Sequence, residues 1–185
     1  MKKIGKAGLS CILALTVAAP VLLVPAAAKA APAVIAAAQK KSYTAAERAY
    51  MKYQSNVLYK LRTQTEDIMK LMDQADQYED EKFMLLLAGK MHAWEQSLKE
   101  AQKYRPQDAP AKFKKAQGFF SQAVTYSTKS CQLVKDLVQK GMNGQEPTEK
   151  ELNVWAENFV GQYVAFKTKS AAFDEEIKKL NKIYR

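Results

Sequence analysis

Histidine occurs once in the 185 residues, at position 92. A single imidazole excludes a di-iron carboxylate site, which needs a Glu-x-x-His pair on each of two helices; the residue three before His92 is Gly89. It also leaves zinc short of donors, since zinc sites want several converging His, Cys or acidic ligands. Cysteine occurs twice, at positions 11 and 131, and no Cys-x-x-Cys-His is present, so covalently attached haem is excluded. Glycine and proline number seven and six, and no glycine cluster has the spacing of a phosphate-binding loop. After residue 30 no apolar run approaches the roughly 18 residues of a membrane span. Nor does any segment alternate as a half-buried strand would.

The first 30 residues have the order of a secretory signal. MKKIGK is a basic start, LALTVAAPVLLVP an apolar core, and Ala28-Lys29-Ala30 fits the small-x-small cleavage rule. Residues 1–30 are therefore expected to be a signal peptide, cleaved after Ala30. Pro20 and Pro25 break the run, which argues against a retained anchor. Cys11 precedes the apolar core, the wrong order for a lipid-modified cysteine. The compact lysine-led signal points to a bacterial envelope, with the product exported to the periplasm, the cell wall or the medium. Removing residues 1–30 takes away four lysines and no acids, leaving 25 basic and 19 acidic side chains and a net charge of +6. Cys131 alone remains, so no internal disulfide forms and the fold rests on its apolar core.

Residues 31–43, APAVIAAAQKKSY, read as a short flexible leader, and residues 44–185 as one domain of four helices, at about 44–75, 79–105, 109–141 and 148–184. Thr44-Ala-Ala-Glu47 and Thr148-Glu-Lys-Glu151 are capping boxes for the first and fourth. Glu79-Asp80-Glu81 suits the positive end of the second, Arg105-Pro106 closes it, and Asp108 with Pro110 opens the third. Gly141 and Gly144 supply a stop. Apolar stripes run at threes and fours, or at sevens where a polar residue bridges the step: Tyr50, Tyr53, Val57, Leu61, Ile68 and Met72; then Phe83, Leu87, Met91, Trp94 and Leu98; then Phe113, Ala116, Phe120, Val124, Ser127 and Cys131; then Leu152, Trp155, Phe159, Tyr163, Phe166, Phe173, Ile177 and Leu180. The connections are short, so the fold class is all-α, an up-down-up-down antiparallel four-helix bundle.

His92 lies one residue off the second stripe, about 100° round the helix, in a boundary position. The chain resembles soluble four-helix b-type cytochromes in bundle size and export alone. Those proteins hold haem between a histidine and a methionine facing one another across the core, whereas Met91 adjoins His92 on one helix. Counting symmetrically about Pro106 places Gly118 level with Trp94, where a glycine makes room for the indole. The same count places Cys131 level with Glu81, about 16 Å along the helix from His92. The two therefore cannot act as nucleophile and base. No Ser-His-Asp set can be built without His92 and no nucleophile elbow is present. No catalytic residue, metal ligand or cofactor is assigned, and an enzyme is not expected.

What remains is surface. Lys112, Lys114 and Lys115 cluster before the third helix, and Lys178, Lys179 and Lys182 near the chain's end. Neither cluster forms a nucleic-acid motif, and export argues against that role. Tyr43, Tyr50, Tyr53, Tyr59, Tyr104 and Tyr126 add rings that suit boundary packing or a protein interface. The expected function is binding or scaffolding in the envelope, with an anionic polymer or another envelope protein as partner. Tyr43, Tyr59 and the six lysines are its candidate surface, and no part of the mature chain spans a membrane. A small-molecule or haem carrier with a cavity between the helices, and His92 as the candidate contact, is the alternative.

Overall fold

The computed structural model describes residues 41–103 and 106–184. The expected signal peptide, the leader up to residue 40, Cys11, Tyr104, Arg105 and Arg185 lie outside the described residues. Four helices carry the fold: α1 (Ala45–Asp73), α2 (Asp80–Ala101), α3 (Lys114–Met142) and α4 (Glu149–Ile183). Among the described residues there is no strand, only an isolated parallel bridge between Lys41 and Tyr184. No described helix is long and apolar enough to cross a membrane.

The helix starts follow local chemistry. Thr44 Oγ1 accepts from the Glu47 amide at 3.2 Å while Glu47 Oε2 accepts from the Thr44 amide at 2.9 Å. Thr148 and Glu151 repeat the arrangement at 3.3 and 2.8 Å. Each box satisfies two amides that a helix start leaves without partners. At the end of α3 the chain turns through Gly144, whose φ of 71° favours glycine. The Gln145 amide donates to the Lys140 carbonyl and the Gly144 amide to the Gly141 carbonyl, a Schellman ending. Gly141 itself stays in the helix.

The second connection departs from expectation. α2 ends at Ala101, and α3 starts only at Lys114, after 3₁₀ turns at Pro106–Asp108 and Ala111–Phe113. Pro110 has ψ 144°, so it is extended and cannot sit inside a first helical turn; Asp108 ends a 3₁₀ turn instead of capping α3. The later start slides α3 relative to α2. Trp94 Nε1 donates to Ser127 Oγ at 2.9 Å, so Ser127 and not Gly118 is level with the indole. Gly118 is exposed, and a Cβ there would meet nothing within 4 Å. Cys131 sits beside Glu95 and Lys135, more than three turns from the expected Glu81 level.

Contacts fix the helix directions. Lys90 reaches Asp67, Gln64 reaches Ser97, and Tyr53 reaches the Glu100 carbonyl, so α1 and α2 run antiparallel. Trp155 reaches the Leu133 carbonyl and Lys115 reaches Glu176, which sets α3 against α4. Tyr163 to Glu66 and Tyr43 to Tyr184 set α4 against α1. α1 also approaches α3 across the bundle, while α2 and α4 stay furthest apart. The axis is filled by Trp94, Phe113, Phe120, Phe166 and Phe173, each at most 1% exposed. Each such ring stabilises the fold by roughly 1.5–3 kcal/mol through burial. Thr65 and Ser170 bridge the stripe gaps between Leu61 and Ile68 and between Phe166 and Phe173; both are buried. Three further buried polar side chains form one network: Gln117 Oε1 accepts from Tyr50 and Gln54, and Gln117 Nε2 donates to Ser121.

Candidate binding surface at the basic end

The antiparallel pairing of α3 and α4 brings together two lysine clusters more than sixty residues apart in sequence. Lys112 lies in the 3₁₀ turn just before α3, Lys114 and Lys115 at its start, and Lys178, Lys179 and Lys182 at the end of α4. Glu176 joins them, 3.1 Å from Lys115 and 3.8 Å from Lys179. Lys178 pairs with Glu175 at 2.6 Å. Lys114 and Lys182 are exposed and enter no ion pair among the described residues. Exposed Lys41 and Lys103 belong to the same end, because α1 begins and α2 ends there.

Beneath the lysines lies a small aromatic core. Tyr43 stacks on Phe113 with centroids 5.7 Å apart and on Tyr184 at 5.3 Å. Tyr43 is therefore buried, 7% exposed, and is not part of an open surface as expected. Its position follows from the Lys41–Tyr184 bridge, which draws the residues before α1 onto the end of α4. Burial, then Tyr184 and Glu47, pushes the Tyr43 phenol above its ordinary value. Lys112 closes the layer. It lies 2.9 Å from Glu47 and 4.1 Å over the centre of the Tyr184 ring, in cation–π range. The Thr44 backbone amide, with Lys112 next, holds the Glu47 carboxyl below the usual carboxylate range. Lys112 is thus half-buried and structural. The outward group is Lys114, Lys115, Lys178, Lys179 and Lys182. Tyr59 is 69% exposed but stands midway along α1, apart from the lysines.

Charge is polarised along the whole bundle. Residues 66–82 and 134–157, which meet at the far end, hold twelve acidic and five basic side chains. The rest of the described chain holds seven acidic and seventeen basic. Summing charge by helix end reveals this polarity in the sequence itself, once the helix directions are assigned. The cluster-sharing role of Glu176 was not foreseen, because it depends on the α3–α4 register.

The two residues with chemical potential lie elsewhere. His92 is exposed on the outer side of α2, with the Gln96 amide 3.4 Å from Nε2. Cys131 is 4% exposed, and burial, with Glu95 adding to it, pushes its thiol up to about 11. Its location near Glu95 replaces the expected wide axial gap from His92, but the two side chains face opposite ways: thiol inward, imidazole outward. Tyr163 donates to Glu66 at 2.9 Å, and burial raises its phenol strongly. Among the described residues no three His, Cys, Asp or Glu are arranged to hold a metal ion. A shallow open groove of about 280 Å³ lies between α3 and α4, lined by Lys129, Gln132, Leu133, Asp136, Asn158 and Gln162. Comparison with protein-family models, curated proteins and solved structures gives no match.

Proposed function

We propose that the protein is an exported, non-catalytic binding or scaffolding bundle of the bacterial envelope, and that its basic end attaches it to an anionic envelope polymer. The observation that carries this reading is the convergence of Lys114, Lys115, Lys178, Lys179 and Lys182 at one pole of a charge-polarised rod. A field concentrated at one end steers and orients an anionic partner more effectively than the same charge spread evenly. These lysines are exposed, so their attraction is screened beyond a Debye length of about 8 Å at physiological salt. The polymer must therefore come into contact with the end, and added salt must release it.

The aromatic layer supports the role mechanically. Tyr43, Phe113 and Tyr184 under Lys112 give the pole a rigid base, so the outward lysines do not have to be ordered from a mobile loop. The test is retention of the protein on an immobilised polyanionic cell-wall polymer and on an uncharged polysaccharide across a salt series. Retention on the polyanion at low salt, falling steeply as salt rises, is the expected result. Equal retention on both supports, or binding that salt does not touch, contradicts the proposal. The carrier alternative draws no support from the core, whose axis is occupied by rings.

A further inference from the structure

The outer face of α2 carries an exposed strip without a charged side chain. Leu85, Gly89, His92 and Gln96 lie on it at steps of four, three and four, the spacing of a coiled-coil seam. Ala88 and Ala93 flank them, and all six are exposed. Leu85 is 75% exposed. The strip is uncharged for about 17 Å. Ion pairs border it on both sides: Lys90 with Asp67 at 3.2 Å toward α1, and Lys135 with Glu95 at 2.9 Å toward α3. An exposed leucine in the second turn of α2, continued by an uncharged strip whose bordering charges already have partners, is the layout of a covered seam.

We infer that α2 is the seam of an antiparallel two-fold dimer, in which this strip packs against the same strip of a second copy. Charge complementarity selects that occupant and that direction. The acidic pole of one chain then lies beside the basic pole of the other, twice over; a parallel pair sets like poles together. A head-to-tail chain of copies also matches poles but leaves the strip bare. A polyanion gains nothing from an uncharged face. With the two-fold axis between Lys90 and Met91, Gly89 lies opposite the second copy's His92, and Leu85 opposite its Gln96. A Cβ at Gly89 would meet nothing within 4 Å, so the position leaves open space for the imidazole. Small residues along the strip permit the interaxial distance of about 8 Å at the close end of the helix-packing range. Two copies related this way give a closed, self-complementary interface. The pairing draws on the same charge polarity as the polymer-binding reading but on none of its lysines, and α4, with three of them, is furthest from α2.

The experiment is sedimentation velocity of the full chain across a concentration series, with cysteine cross-linking. The expected result is a monomer–dimer equilibrium whose dissociation constant rises about tenfold or more in Leu85→Lys. Far-ultraviolet dichroism of that variant, and its melting at concentrations low enough that both proteins are monomeric, stay as in the parent, because Leu85 is exposed and belongs to no core cluster. Mixing Gly89→Cys chains with His92→Cys chains should give an oxidised dimer, while Lys99→Cys chains alone should not. A monomer at every concentration overturns the inference. So does unchanged dimerisation in Leu85→Lys, cross-linking through Lys99→Cys, or growth into open-ended oligomers.

Discussion

Replacing Ser127 with alanine tests the α2–α3 register at one atom. Trp94 is fully buried, and its Nε1–H has Ser127 Oγ as acceptor at 2.9 Å. Ser127→Ala removes that acceptor and leaves the donor without water or protein to receive it. A buried unpartnered donor costs about 1–3 kcal/mol. For a domain of this size that lowers the melting temperature by about 2–4 °C per kcal/mol. Trp94→Phe removes the donor and a ring of volume, but Ser127 then turns to a backbone carbonyl one turn back, as Thr65, Thr125, Thr128 and Ser130 already do. In the Trp94→Phe background, Ser127→Ala should therefore cost less than about 0.5 kcal/mol, and the double-mutant cycle reports the bond as the difference. Urea unfolding followed by far-ultraviolet dichroism gives all four stabilities. A Ser127→Ala variant as stable as the parent, or equally costly in both backgrounds, refutes the register.

Other expectations follow from single groups. The capping-box carboxyls of Glu47 and Glu151 are held low in the folded state by the threonine amides. Their contribution is complete above the unfolded value near 4.5 and is lost as pH falls through the lower folded value; melting across that range should show it, and Glu47→Gln with Glu151→Gln should flatten the loss. The Cys131 thiol is raised to about 11, so its contribution is full below the unfolded value of about 8.5 and fades as pH climbs toward 11. At mildly alkaline pH a thiol reagent should label Cys131 only at the rate of chain opening, accelerated by urea; immediate labelling contradicts its burial. Gly118→Ala and Gly161→Ala meet nothing within 4 Å and should each raise stability by about 0.5–1 kcal/mol in urea melts.

Helix starts were legible in the sequence because a capping box is local chemistry: Thr44 with Glu47, and Thr148 with Glu151, need only four residues. The stripes were legible for the same reason, though it took the packing to show that buried Thr65 and Ser170 fill their gaps. What escaped depends on a turn. Reading Asp108 as a cap and Pro110 as a first-turn residue starts α3 five residues early, and that slip misplaces Gly118 and Cys131 together. A symmetric count cannot see that Pro110 is extended. Tyr43 escaped for a related reason: nothing near it in sequence announces Tyr184. The candidate surface was half legible. Both lysine clusters stand out in the chain, but their meeting through Glu176 and the inward turn of Lys112 over Tyr184 come from packing. The polarity of charge was present in the sequence all along and becomes visible only when helix directions are assigned.

Position, with total charge held constant, is the sharpest discriminator of an end-specific attachment. Two triple variants carry the same net charge: Lys114→Glu, Lys178→Glu and Lys182→Glu at the basic pole, and a lateral triple of Lys129→Glu and Lys167→Glu along the sides with Lys70→Glu toward the far end. Affinity for an anionic cell-wall polymer is measured for both by titration at one salt concentration. Loss of binding in the polar triple, with the lateral triple close to the parent, is the predicted result; equal weakening in the two would show that only bulk charge is felt and would contradict a binding site at the basic end.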